Sequence, residues 1–148
     1  MAKLIDLTNF DPDSNFGWSD YVDLSNKITT ITQHTLSQDL ETHASVYAYY
    51  AGVMNKLKKS LDLAESTLEK LNADIRLRYH RESKSKLTEK MLEAHVVSND
   101  DYNKLKQDII DLEYKYNLFK SLCHSLEHRK DMLVQLSSNK RNETKLYS

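Results

Sequence analysis

Residues 53–82, VMNKLKKSLDLAESTLEKLNADIRLRYHRE, decide how this chain folds. They contain neither glycine nor proline, and apolar residues recur in steps of three and four at Met54, Leu57, Leu61, Ala64, Leu68, Leu71, Ile75 and Tyr79. Inside a helix, glycine costs about 1 kcal/mol and proline about 3 relative to alanine. The absence extends well beyond this stretch, since 96 residues after Gly52 hold neither. Long helices are therefore permitted, and the near-heptad repeat is that of a coiled-coil seam.

Upstream, the seam runs back through Ala51, Tyr47, Ala44 and Leu40. Two consecutive steps of three, from Ala51 to Leu57, resemble a stammer that would overwind a supercoil. Thr35-Leu-Ser-Gln38 has capping-box spacing, with Ser37 and Asp39 as alternative caps, so the helix is expected over about 38–82. Downstream, Arg81–Lys86 (RESKSK) has no apolar residue and should leave the bundle. A short helix is expected over 88–97, with Leu87, Met91, Leu92 and His95 or Val96 inward. Ser98-Asn-Asp-Asp101 supplies another cap with acids where the helix dipole favours them. A second seam follows at Tyr102, Leu105, Ile109, Leu112, Tyr116, Phe119, Cys123, Leu126 and Leu133, interrupted by Lys130 as a snorkelling residue. This helix should cover 101–137 and fade at Ser137-Ser138, leaving 139–148 as a basic frayed tail.

These elements predict an all-α fold: a long antiparallel helical hairpin or coiled-coil-like bundle with a short connecting helix. Two narrow seams make a thin structure, so assembly as a homo-oligomer is expected. Residues 1–34 form an acidic leader with Pro12, Gly17 and Trp18, read as loop over 8–20 and a short helix from Asp20 to Ile31. Residues 35–138 form the helical domain.

The net charge is −1 but divided, −5 over residues 1–52 and +4 over 53–148. A basic body favours phosphate-rich partners. The single cysteine excludes an intramolecular disulfide framework and fits a reducing, cytoplasmic setting. MAKLIDLTNF has no apolar signal core, and no segment approaches the roughly 20 apolar residues of a membrane span, so no membrane role is expected. There is no GxxxxGK[ST] loop for a nucleoside triphosphate and no GxGxxG turn for a dinucleotide. No cofactor is expected, and a slim helical core leaves little room for an enzyme pocket.

Four motifs carry chemistry. Arg76, Arg78, Tyr79, Arg81, Lys84 and Lys86 form a basic–aromatic segment, with seven basic and three acidic residues between Lys70 and Lys90. Single-stranded nucleic acid is bound by cations along its backbone and aromatic faces against its bases. The alternative is a solvated helix end whose cations answer the helix dipole. Lys56, Lys58 and Lys59 could extend the basic track, or pair with Asp62 and Glu65 on a solvated flank. Tyr47, Tyr49 and Tyr50 cannot all face one seam, so at least one should be exposed or meet another subunit, and Tyr114 and Tyr116 raise the same question. His124-Ser-Leu-Glu127-His128 matches the H-x-x-E-H pattern of inverted zinc peptidases. It lies in a heptad helix with Glu143, in the expected tail, as the only glutamate downstream, so no metal site is assigned, and Cys123 is read as a packed thiol.

The order of features over residues 35–143 resembles the phage recombination mediator family of UvsY-like proteins. The resemblance is carried by Tyr47-Ala-Tyr-Tyr50 before a charged helix, the Arg76–Lys86 segment, Leu87-Thr-Glu-Lys90, and Asp100-Asp-Tyr-Asn-Lys-Leu105. It ends in Leu126-Glu-His-Arg-Lys-Asp-Met-Leu-Val-Gln-Leu136 followed by Ser-Ser-Asn-Lys-Arg141. It implies a non-enzymatic homo-oligomeric ring that binds single-stranded DNA without sequence preference. The implied partners are a RecA-like recombinase and a single-strand-binding protein, in a phage-infected host cell. Arg76, Arg78, Tyr79, Arg81, Lys84 and Lys86 would then contact DNA, with Lys56, Lys58 and Lys59 beside them. Tyr47, Tyr49, Tyr50, Tyr116, Phe119, Leu126 and Leu133 would serve the oligomer interface. The charge of −1 departs from a uniformly basic binder and implies a local groove or avidity across a ring.

Overall fold

A computed structural model of the protein describes residues 15–32 and 34–148. The described residues are all-α, with four helices and no strand: α1 Trp18–Thr29, α2 Leu36–Glu82, α3 Glu89–Val97 and α4 Asp100–Leu146. No helix among them is long and apolar enough to cross a membrane.

Each start has a local cause. α1 begins two residues before the expected Asp20, because the Asp20 carboxylate accepts from the Gly17 N–H at 3.0 Å and draws Trp18 into the first turn. Residues 15–17 of the expected loop are non-helical, and residues 8–14 lie outside the described residues. α2 begins at Leu36, which leaves Thr35 of the expected capping box at the cap position and puts the alternative caps Ser37 and Asp39 inside the first turn. The Thr35 hydroxyl donates to Asp39 Oδ2 at 2.8 Å, and the Thr35 carbonyl accepts from the Asp39 N–H, also at 2.8 Å. Thr88 caps α3 by accepting from the Met91 N–H. Asn99 caps α4 by accepting from the Tyr102 N–H at 3.0 Å, and Asp100 and Asp101 fill the first turn.

The connection over 83–88 turns without glycine, proline or any positive φ. Ser83 closes α2 through its N–H to the Tyr79 carbonyl, and its hydroxyl accepts from the Ser85 N–H. At its other end, α4 does not fade at Ser137-Ser138 but continues to Leu146, so the expected frayed tail is helical. Two serines cost well under about 1 kcal/mol each in a helix, and NKRNETKL contains no breaker.

The chain forms two compact units, one from residues up to Lys56 and from Lys115 onward, the other from Leu57–Tyr114. In the first, Ile28 of α1, Leu36, His43, Tyr50 and Val53 of α2, and Leu118, Phe119, Leu122, Cys123, Leu126, Arg129 and Leu133 of α4 are buried. Asp39 and His43 meet Arg129, Tyr47 meets Glu127, and Tyr50 stacks on Phe119. Rising numbers in α2 meet falling numbers in α4, so the two segments run antiparallel within this unit.

Both expected seams need correction here. On α2 the buried line is Leu36, His43, Tyr50, Val53 and Leu57, whereas Leu40 and Ala44 are exposed and Tyr47 and Ala51 half-buried. The real steps of seven, seven, three and four keep a regular heptad and leave no stammer between Ala51 and Leu57. On α4, Arg129 rather than Lys130 occupies the seam, and Lys130 is exposed. In the second unit the buried residues are Leu57, Leu61 and Ile75 of α2, Leu92 and Val96 of α3, and Ile109 of α4. Leu92 and Val96, four apart, give α3 one inward stripe; Leu87 is half-buried, and Met91 and His95 are exposed.

Candidate nucleic-acid interface

The basic–aromatic segment lies wholly in the second unit, in the last turns of α2 and the connection after it. Its residues divide into two kinds. Arg76 and Tyr79 face α3. Arg76 Nε donates to Asn72 Oδ1 at 2.8 Å, and Nη1 donates to Glu89 Oε1 at 2.5 Å, tying α2 to the first turn of α3. The Tyr79 ring stacks on the His95 imidazole with centroids 3.9 Å apart and planes 10° from parallel. These two residues hold the α2–α3 corner together. Arg78, Arg81, Lys84 and Lys86 are exposed, two on the final turns of α2 and two on the connection.

His95 was expected as a possible inward residue of α3, and its pairing with Tyr79 was not legible. The signal lay in positions rather than spacing. Tyr79 is one turn from the end of α2, and His95 is in the last turn of a helix that must fold back onto it.

Of the three lysines upstream, Lys58 pairs with Asp62 at 3.0 Å across one helical turn. This is the solvated-flank arrangement weighed for it in the sequence. Lys56 and Lys59 are exposed; Lys56 falls in the first unit and Lys59 in the second.

The residues expected at an oligomer interface are mostly interior. Tyr50, Phe119, Leu126 and Leu133 are buried inside the first unit, Phe119, Leu126 and Leu133 completely, and so present no surface to a second copy. Phe119 is enclosed by the stacked Tyr50 ring and by Phe16, whose centroid is 5.0 Å away. Burial pushes the Tyr50 hydroxyl up to about 12, with a smaller contribution from Tyr49. Tyr49 meets Tyr50 edge to face at 5.1 Å. Tyr47 donates to Glu127 Oε1 at 3.0 Å. Tyr47, Tyr49 and Tyr116 are half-buried, so of the Tyr47–Tyr50 rings only Tyr50 is enclosed and the other two keep part of their surface open.

Glu127 sits in the H-x-x-E-H string and is engaged by Tyr47 and by His124 Nδ1 at 3.3 Å. The Tyr47 hydrogen bond, then that of His124, hold its carboxyl below the usual range. No group of three or more His, Cys, Asp or Glu side chains suited to a metal occurs among the described residues. Cys123 is buried, and burial, then the Glu127 charge, push its thiol up.

The most polar buried feature lies elsewhere. Arg129 is 6% exposed; its guanidinium meets Asp39 Oδ1 at 3.1 Å and His43 Nδ1 at 2.9 Å, while Nε has no hydrogen-bond partner. As the donor here is arginine, His43 accepts through Nδ1 as a neutral imidazole. Burial first, then the Arg129 and Lys130 charges, lower the His43 pKa. The sequence reading missed this cluster because polar residues at heptad positions look like breaks in a seam.

No family model, curated protein or solved structure matches the chain.

Proposed function

We propose that this protein is a non-enzymatic recombination mediator that binds single-stranded DNA and acts as a homo-oligomer, helping to load a RecA-like recombinase. The observation that carries the reading is the set of four exposed cations, Arg78, Arg81, Lys84 and Lys86, next to an aromatic pair at one helix corner. Cations along a strand neutralise phosphates without reading sequence, and each releases counterions. The resemblance to UvsY-like mediators supplies the recombinase, the single-strand-binding protein and the ring as partners and assembly. Several modest sites repeated round a ring would provide the avidity that a chain of net charge −1 lacks in one copy.

The tie of Arg76 to Glu89 gives it a structural role. Arg76 supports α3 and is left intact, and the four exposed cations are replaced together by alanine. Fluorescence anisotropy with a labelled oligonucleotide across a salt series should show tight binding at low salt by the natural chain. The variant's salt slope should be smaller by about 3, at about 0.7 per neutralised phosphate. Unchanged affinity would clear the segment, and no binding by the natural chain at low salt would sink the reading.

The Lys58–Asp62 and Arg76–Glu89 pairs favour a second reading, a structural or adaptor coiled-coil protein whose cations serve its own helices. It predicts a mass in solution that is the same with and without single-stranded DNA.

A further inference from the structure

The continuation of α4 to Leu146 creates a cleft that the expected frayed tail would not have formed. Ser137, Lys140, Arg141, Thr144 and Lys145 of α4 and Leu36, Ser37 and Leu40 of α2 line a cleft of about 480 Å³ within the first unit. The α4 residues are spaced three, one, three and one, which is a single stripe of a helix. That stripe continues the line of Leu122, Leu126, Arg129 and Leu133, all buried against the rest of the unit. Where the line should carry further leucines it carries three cations.

Those cations answer no acid in the cleft, since no carboxylate lines it among the described residues. They lie instead at the start of α2, whose first-turn N–H groups lack helical partners and carry the positive end of the helix dipole. The negative end of α4 accounts for Lys145, which is in its last turn. Lys140 and Arg141 are a turn earlier, where that effect has faded. The floor is apolar: Leu36 is buried, and Leu40 is 39% exposed beside the cations. A site with an apolar floor, three cations and no acid suits a ligand that pairs an oxyanion with a less polar body.

We propose that this cleft binds the sugar–phosphate backbone of single-stranded DNA, as a phosphate-contact site separate from the Arg78–Lys86 cations. Lys140, Arg141 and Lys145 contact phosphate oxygens, while Leu40 receives the less polar face of the sugar or base. No aromatic ring lines the cleft, so its contribution is electrostatic and blind to sequence. The inference rests on the single-strand-binding reading and extends it to the opposite end of α2.

Two measurements test it. In the first, Lys140→Gln, Arg141→Gln and Lys145→Gln are combined and compared with the natural chain by anisotropy. The expected result is at least about a tenfold loss of affinity at low salt and a salt slope smaller by about 2. Equal affinity and slope, with the natural chain still binding, overturn the cleft alone. No binding by the natural chain overturns the cleft and the broader reading together. In the second, hydrogen exchange on the natural chain with an added oligothymidylate should protect amides at 36–38 and slow exchange around 140–145. Lack of protection there, with oligonucleotide bound, overturns the site whatever the variant does. Equal protection by polyglutamate at matched charge would overturn the nucleic-acid assignment in favour of an acidic peptide.

Discussion

The two units each join helices through an arginine, and the two arginines behave differently. In the first unit Arg129 is buried between Asp39 and His43, with side-chain exposures of 7% for the arginine and 17% for Asp39. In the second, Arg76 reaches Glu89 in the open, at 29% and 67%. The surroundings differ in the same sense. The first unit buries rings at Tyr50 and Phe119, whereas every buried residue of the second is aliphatic. A desolvated ion cluster in a deep core has one satisfactory geometry. An exposed pair over a shallow core can break and re-form while water satisfies its charges. The unit that carries Arg78, Arg81, Lys84 and Lys86 is therefore the one able to adjust at low cost.

Breaking the buried arginine should have the largest effect. Arg129→Ala strips the largely covered Asp39 carboxylate and the buried His43 of their shared partner, and should destabilise the protein by about 3 kcal/mol in urea unfolding. Replacing the pair together, Arg129→Met with Asp39→Leu, should cost much less than the single change, because no orphaned charge remains. If the single change costs under about 1 kcal/mol, the contrast between the units is wrong.

Acid should separate the units next. The folded state holds His43 neutral, its pKa lowered from 6.5 by burial and by the Arg129 and Lys130 charges. Below pH 6.5 the unfolded chain takes up a proton that folded His43 refuses, so stability falls as pH falls. The slope attributable to this residue is at most about 1.4 kcal/mol per pH unit. His43→Gln should flatten that part of the profile, measured by urea unfolding between pH 7 and 5. An unchanged slope would show that His43 takes up its proton equally in the folded and unfolded chains.

The smallest effect belongs to the exposed pair. Glu89→Ala should cost no more than about 1 kcal/mol globally and less at high salt. Its readout is faster amide exchange over Glu89–Val97, since one of two links between α2 and α3 is removed. A cost as large as that of Arg129→Ala would erase the distinction.

The sequence made the helices legible because their determinants are local. The absence of breakers, the serine-rich turn and the caps at Thr88 and Asn99 lie within a few residues of what they control. Register was harder to read. Between residues 36 and 53 a seam built on Leu40, Ala44 and Tyr47 is as apolar as one built on Leu36, His43 and Tyr50. Only the partner helix, with a buried arginine at 129, decides between them. The end of α4 departs from the sequence expectation for a related reason: polarity alone does not fray a helix, and no residue there stops it. The exposure of Arg78, Arg81, Lys84 and Lys86 fits either expectation for them, a nucleic-acid contact or a solvated helix end, while the work of Arg76 and Tyr79 depends on α3 folding back.

A heptad seam repeats, and repetition invites sliding. Leu36, His43, Tyr50 and Leu57 are seven residues apart, so an all-leucine version of α4 could shift along α2 by one repeat and still find an apolar partner. Arg129 removes that freedom. A slip one way would set the guanidinium against Leu36 and Thr32, and the other way against Tyr50 and Val46, with no carboxylate in either place. Each misalignment strands a charge at a cost of several kcal/mol. The cluster thus acts as a key cut for one notch, and it fixes which residues of α4 arrive beside the start of α2.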